Sequence, residues 1–358
     1  MKTLIALLLP VLAQADIQLD KLKMPAHLKL TVFADKVKNA RSMTSGPDGL
    51  VFVGTRGEGS VYALLPDKNG DGKSDGTVTI AKDLNSPNGV AFKNGDLYVA
   101  EIDRVLLFKD IAKTYTTKPK PVAWGPSFPS DKHHGWKFIA FGPDGWLYVP
   151  VGAPCNLCLE NPDLYAAIHR VSPDGKKREL VARGVRNTVG FDWQPGSGDF
   201  WFTDNGRDWM GDDKPPCEMN RLSKLGEHFG YPHCHGADLL DPEYGKGKQC
   251  SSYTPMLHGF TPHSAPLGMR FIKNEKIAGK GAILIAEHGS WNRSTPVGYQ
   301  ITRLKVDGAR VASADNFITG FLQGRKAWGR PVDLLELPDG SVLISDDYAD
   351  AIYRLTAK

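Results

Sequence analysis

One pattern recurs six times along the chain and leaves few folds open to it. Residues 42–55 (SMTSGPDGLVFVGT), 88–101 (NGVAFKNGDLYVAE), 136–152 (WKFIAFGPDGWLYVPVG), 188–206 (TVGFDWQPGSGDFWFTDNG), 267–289 (LGMRFIKNEKIAGKGAILIAEHG) and 331–347 (PVDLLELPDGSVLISDD) share it. Each has a short apolar run, a turn rich in Gly, Pro, Asp or Asn, and then an alternating run that ends in small or polar residues. Pro presets φ at one corner of such a turn and Gly accepts positive φ at the next, so the chain reverses within a few residues. From Met43 the copies advance through Val90, Ile139, Val189, Leu267 and Val332, in steps of 47, 49, 50, 78 and 65 residues. That is the spacing of four-stranded blades, roughly 40–50 residues, with two insertions. The pattern predicts an all-β, six-bladed β-propeller.

The ends of the chain complete the reading. Residues 28–35 (LKLTVFAD) form a strand-like run with no hairpin of their own, and residues 351–357 (AIYRLTA) follow the last hairpin. Pairing them would close the ring with an N-terminal strand. Residues 1–15 (MKTLIALLLPVLAQA) carry a lysine, an apolar stretch too short for a bilayer, and an Ala13-Gln14-Ala15 ending. These features predict an export signal cleaved before Asp16, a propeller domain over 16–358, and a periplasmic or secreted protein. The net charge of +4 is scattered rather than blocked, which offers no nucleic-acid footprint and no membrane insertion.

Export changes how the five cysteines read. Cys155 and Cys158 form a C-x-x-C, Cys234 and Cys250 bracket a long insertion, and Cys217 is left over. In an oxidising compartment such pairs are disulfide candidates before they are zinc ligands. A C-x-x-C-H haem motif would need cysteine at position 231, where Tyr231 stands. Asp67, Asn69, Asp71 and Asp75 alternate around Gly72 as in a calcium loop, although Val78 stands where the closing glutamate belongs. The same residues also suit a solvated turn.

Loops entering the innermost strands of a propeller share one face and surround the mouth of the central channel. Arg41, His133, His134, Arg186, Asn187, His263 and Arg330 all fall at that phase. Any one of them could satisfy a loop carbonyl. Their repetition at one structural position instead predicts a basic pocket for an anionic, hydrogen-bonding ligand.

The segments HHGWKFIAFGPDGWLY, GVRNTVGFDW, DNGRDWMGDDKPP, GEHFGYPHCHG, HSAPLGMRF, EHGSWNRSTPVGYQITRL and WGRPV resemble the sorbosone dehydrogenase group of soluble sugar dehydrogenases that use pyrroloquinoline quinone (PQQ). Soluble quinoprotein glucose dehydrogenase and aldose sugar dehydrogenase are related to that group. The resemblance spans nearly the whole chain and implies PQQ and Ca²⁺ as cofactors, a sugar substrate, and electrons passed to a separate acceptor such as a cytochrome or a quinone. It implies that His134, eight residues before Gly142, is the base that takes the substrate hydroxyl proton, with His133 as pocket wall. Arg186 and Asn187 would sit beside the quinone oxygens. The backbone carbonyls of Gly206 and Arg207 would hold the calcium that bridges to PQQ. Arg330 and Arg41 would meet its carboxylates, with Asn205, His263, Asn292 and Arg293 among the cofactor contacts. Two other classes of function compete. One is a calcium-dependent propeller hydrolase of the lactonase kind, using Asp204, Asn205 and Glu287; the other is a propeller that binds a glycan or protein without catalysis.

Overall fold

The computed structural model describes residues 16–358, so the expected export signal at 1–15 lies outside the described residues. Six antiparallel sheets stand in a ring, one for each sequence copy. Blade 1 runs Ala40–Ser45, Val51–Thr55, Val61–Leu64 and Thr77–Ala81; blade 2 runs Gly89–Lys93, Asp96–Ala100, Val105–Phe108 and Val122–Trp124. Blade 3 is Ala140–Phe141, Leu147–Val151, Ala167–Val171 and Arg178–Arg183; blade 4 is Phe191–Trp193, Phe200–Asp204, Cys217–Leu222 and His258–Phe260. Blade 5 consists of Pro266–Ile272, Ala282–Glu287, Gln300–Asp307 and Arg310–Ile318. Blade 6 takes Pro331–Glu336, Val342–Asp346 and Ala351–Ala357 from the C-terminus and Leu28–Ala34 from the N-terminus. In that closure Leu28 pairs with Ala357 and Val32 with Tyr353, as the ends of the sequence predict.

Each sheet buries both faces against its neighbours, and the apolar side chains gather into six principal clusters, one at every junction between consecutive blades. Leu284 of blade 5 meets Leu334 and Ile344 of blade 6, and Met43 and Val53 of blade 1 meet Leu343 and Ile352 of blade 6. The same arrangement repeats around the rest of the ring. Such burial, at about 25 cal/mol per Å² of apolar surface, is what closes the ring. Near the axis the blades come together backbone to backbone. A Cβ on Gly190 would lie 2.1 Å from the Leu267 carbonyl oxygen, so only glycine allows blades 4 and 5 to approach there. Buried polar side chains tie adjacent blades: Asp333 accepts the Met43 amide at 2.9 Å, Asp192 accepts the Phe271 amide at 3.0 Å, and Asn88 donates to the Lys137 carbonyl at 2.8 Å.

Blade 3 departs from the four-strand expectation. The insertion behind the 78-residue step returns to add Glu227–His228 as a fifth strand, parallel to Arg178–Arg183. Phe229 anchors it by an edge-to-face contact with Phe202, ring centroids 4.9 Å apart. Cys234 and Cys250 are joined by a disulfide within this insertion, and Cys155 by another to Cys158, while Cys217 is buried and unpaired.

The loop around Asp67 lies at the outer edge of blade 1. Asp67 accepts the amides of Gly70, Asp71 and Gly72; Asn69 accepts that of Asp71, Asp71 that of Lys73, and Asp75 that of Lys68. Arg354 of blade 6 reaches Asp67 at 3.0 Å. These oxygens cap their own turn and latch blade 1 to blade 6.

Candidate functional site

An antiparallel hairpin puts the start of its first strand and the end of its second at the same height. Ala40 pairs with Thr55, Pro266 with Glu287, and Pro331 with Asp346. The mouth of the channel therefore receives loops that leave second strands as well as loops that enter first strands. Together they enclose a cavity of about 380 Å³ lined by Arg41, His133, His134, Arg186, Asn187, His263 and Arg330 from the entering side. Arg56, Asn205, Gly206, Asp208, His288 and Trp291 line it from the leaving side. Reading only the entering loops misses Arg56, Asp208 and His288, and also Asp347, which follows the second strand of blade 6. The polar ends of the repeats (EHG at 287–289, SDD at 345–347) were the available signal.

His134 is held in a conformation few residues adopt, with φ of 50°. Gly152 makes that possible, since a Cβ there would meet the His134 Cβ at 2.5 Å. Nδ1 lies 2.9 Å from the Ala153 carbonyl oxygen, so it carries the proton and leaves Nε2 with its lone pair free. Burial, then the positive charge of Arg186 and the His133 ring 4.0 Å away, push the imidazole well below its usual pKa. It is a neutral base. Behind it, Lys137 donates to the Gly135 carbonyl at 2.8 Å and steadies the 133–135 segment; burial brings that lysine down to about 7.

Arg186 reaches across the floor of the cavity. Its Nε donates to the Asn156 carbonyl at 2.9 Å and Nη2 to Asn156 Oδ1 at 2.8 Å. Nη1 meets the carbonyls of Asn205 and Gly206 at 3.2 and 2.9 Å, and Asp208 lies 3.2 Å from Nη2. Asn156 also accepts the Asp208 amide at 2.8 Å. It sits inside the Cys155–Cys158 loop, so this small disulfide ring aims the guanidinium of the next blade. Nothing in the sequence around a C-x-x-C announces that role. Asp204 receives the amides of Arg186 and Asn187 at 2.8 and 2.6 Å. Burial raises it to about 6, and burial together with Asp204 raises Glu218 to about 8.

On the opposite wall His288 links two cations through one carboxylate. Its Nε2–H donates to Asp347 at 2.8 Å, and its Nδ1 accepts Arg330 at 2.8 Å. Arg41, fully buried, pairs with the other Asp347 oxygen at 2.9 Å. Burial alone would raise Asp347, but His288, Arg41 and Arg330 outweigh it and hold the carboxylate well below its usual range. Burial lowers His288 to about 4, which keeps it neutral. Arg56 lies over Trp136, 3.9 Å from the ring centroid; burial and then repulsion from Arg41 lower it to about 10. The cup thus holds four arginines against two nearby carboxylates, Asp208 and Asp347.

The side chains of three sequence-predicted residues do not line the cavity, although for Arg207 the expectation concerns only the backbone carbonyl. Arg207 turns outward to Asp241 at 2.7 Å and to Glu243 at 3.0 Å, with His235 on the same Asp241. Arg293 is spent on the Asp212 carbonyl and on Asp213 at 3.1 Å, and Asn292 lies outside the cup beside it. A count of charges along a loop cannot show which way a side chain leaves it. His263 does line the cavity, and its Nε2 donates to the Gly211 carbonyl at 2.8 Å. Asp204 and Glu287, the carboxylates of the hydrolase alternative, face backbone amides and Thr302 and do not line it. Among the described residues no three His, Cys, Asp or Glu side chains are grouped to hold a metal ion.

The fold and site define a six-bladed propeller with a cationic, histidine-bearing cup at one mouth of its channel. A TrAA12-like family profile matches residues 169–321, and that of a domain of unknown function matches residues 54–226. An uncharacterized protein of Borreliella burgdorferi is 34% identical over 371 aligned residues, covering 99% of this chain and 95% of that protein. The chain belongs to the same family as that protein. Among solved structures, the Trichoderma reesei carbohydrate-active enzyme of family AA12 superposes with a TM-score of 0.81 at 20% identity, covering 98% of this chain and 99% of that one. The holo PQQ domain of Coprinopsis cinerea pyranose dehydrogenase gives 0.78 at 16% identity, over 94% and 97%. The PQQ-bound aldose sugar dehydrogenase of Streptomyces coelicolor gives 0.66 at 18% identity, over 94% and 100%. At these identities the superpositions establish the fold.

Proposed function

We propose that this protein is a PQQ-dependent sugar dehydrogenase that works in the periplasm or outside the cell as a propeller domain over 16–358, after loss of residues 1–15, and that passes its electrons to a separate acceptor. The observation that carries this reading is a neutral imidazole, His134, set beside Arg186 in a cup with more cations than anions. An anionic ligand would relieve the repulsion between Arg56 and Arg41, and planar guanidinium forks suit carboxylates. Asn205 Oδ1 is buried without a hydrogen-bond partner next to the Gly206 carbonyl, a hard-oxygen environment that fits Ca²⁺. The residues present fit both groups.

When bound, PQQ supplies an ortho-quinone able to accept hydride. Arg330, Arg41 and Arg56 would hold its carboxylates, and the backbone oxygens of Gly206 and Arg207 would hold calcium. The chain itself manages the proton: His134 Nε2 accepts it from the substrate hydroxyl while Nδ1–H stays on Ala153. Arg186 would set its positive charge, and Asn187 its side-chain amide, beside the place where negative charge develops. The motif likeness favours a sorbosone-type or aldose substrate. Two disulfides suit an oxidising compartment.

Reconstitution with PQQ and Ca²⁺ followed by a dye-linked assay over aldoses, sorbosone and polyols tests the reading. Chelation should abolish activity and calcium restore it, in the wild type and in Asp71→Ala alike, because the 67–75 loop lies at the outer edge of blade 1. Loss of PQQ binding in a folded Asp71→Ala variant alone would overturn the separation of the two sites.

A further inference from the structure

Trp209 and Trp291 stand at the lip of the cup, 66% and 72% exposed, with centroids 5.5 Å apart and planes at 83°. Trp291 borders the cavity itself. Water is a costly place for two indoles, and Trp209 also has a φ of 69°, rare for a bulky residue. The surrounding loops hold the pair there. Arg293 and Ser294 of the blade 5 loop bind Asp212 and Asp213 of the blade 4 loop, and His263 binds Gly211 from below. This is the work Arg293 does in place of a cofactor contact.

We propose that this aromatic corner is an outer saccharide subsite, which takes the ring next to the one being oxidised in a di- or oligosaccharide with a free reducing end. The inference rests on the sugar dehydrogenase reading above. A pyranose has an apolar C–H face that lies flat on one indole, while the second indole, at a right angle, meets its edge. Asp213, almost fully exposed and paired with Arg293 at 3.1 Å in the loops that carry the two indoles, has a second carboxylate oxygen to accept hydroxyls. At about 380 Å³ the cavity is at the small end of ligand pockets, roughly 300–1,000 Å³, so a longer sugar must extend over this rim. A protein surface is a poorer fit: stable interfaces bury about 1,200–2,000 Å², whereas two rings hemmed by charge form a small patch.

The test compares glucose with maltose and cellobiose in reconstituted wild type, Trp209→Ala and Trp209→Phe. Trp209→Ala should raise KM for a disaccharide about tenfold, the loss of one aromatic contact, while Trp209→Phe restores most of it. KM for glucose should stay within about twofold. Equal changes for glucose and both disaccharides would overturn the subsite, as would unchanged sugar kinetics with slower reduction of a protein acceptor. A second arm needs no turnover: cellobiose or maltose should quench tryptophan fluorescence of the cofactor-free protein, and Trp209→Ala should abolish the quenching. Absence of turnover on every sugar would defeat the dehydrogenase reading alone. Absence of quenching by both disaccharides would defeat the subsite.

Discussion

His134→Ala is expected to lower kcat by roughly 100- to 10,000-fold while PQQ still binds, because it removes the general base and leaves the arginine cup intact. The expectation follows from geometry. Ala153 fixes the tautomer, and the left-handed backbone at His134 fixes the ring's direction. Two of the other imidazoles in the cup are already engaged: His288 with Asp347 and Arg330, and His263 with Gly211. His133→Ala should cost far less. Turnover and PQQ titration on the same preparations check both, and near-normal turnover in His134→Ala would remove the histidine from the chemistry.

Arg186→Ala should be damaging in two ways at once. It strips partners from the carbonyls of Asn156, Asn205 and Gly206 and leaves Asp208 without its guanidinium. Breaking a buried pair of this kind costs about 3–5 kcal/mol. Loss of its positive charge beside the developing negative charge should cost roughly 100-fold or more in kcat. Arg186→Lys should not rescue, since an ammonium cannot span Asn156 and Gly206 together. Asn156→Ala should reproduce a milder form of the kinetic defect with PQQ binding retained, because Asn156 acts through the arginine. Urea unfolding and steady-state kinetics separate the two effects. Wild-type stability together with wild-type turnover in Arg186→Ala would show that the floor of the cup is built on other residues.

The ring was legible because its signal is local: a turn and two short alternating runs, repeated, define a blade, and the orphan strand at 28–35 could pair only with 351–357. The entering loops were legible for the same reason, which is why Arg41, His134, Arg186, His263 and Arg330 were found. What escaped depends on register and direction. His288 and Arg56 reach the cup only because second strands end level with first strands, as Glu287 does with Pro266. Arg293 carries the expected charge but leaves its loop on the far side, toward Asp213. The fifth strand of blade 3 is a long-range parallel pairing of two residues, too short to mark the sequence.

Anaerobic titration of the purified protein with PQQ in the presence of Ca²⁺, followed by addition of sugar, tests the central claim most directly. The account predicts saturation at one PQQ per chain, a bound-quinone absorption band, and conversion of that band to the reduced form by at least one aldose or sorbosone-type sugar. Failure to bind PQQ with calcium present, or a bound quinone that no sugar reduces, would contradict it.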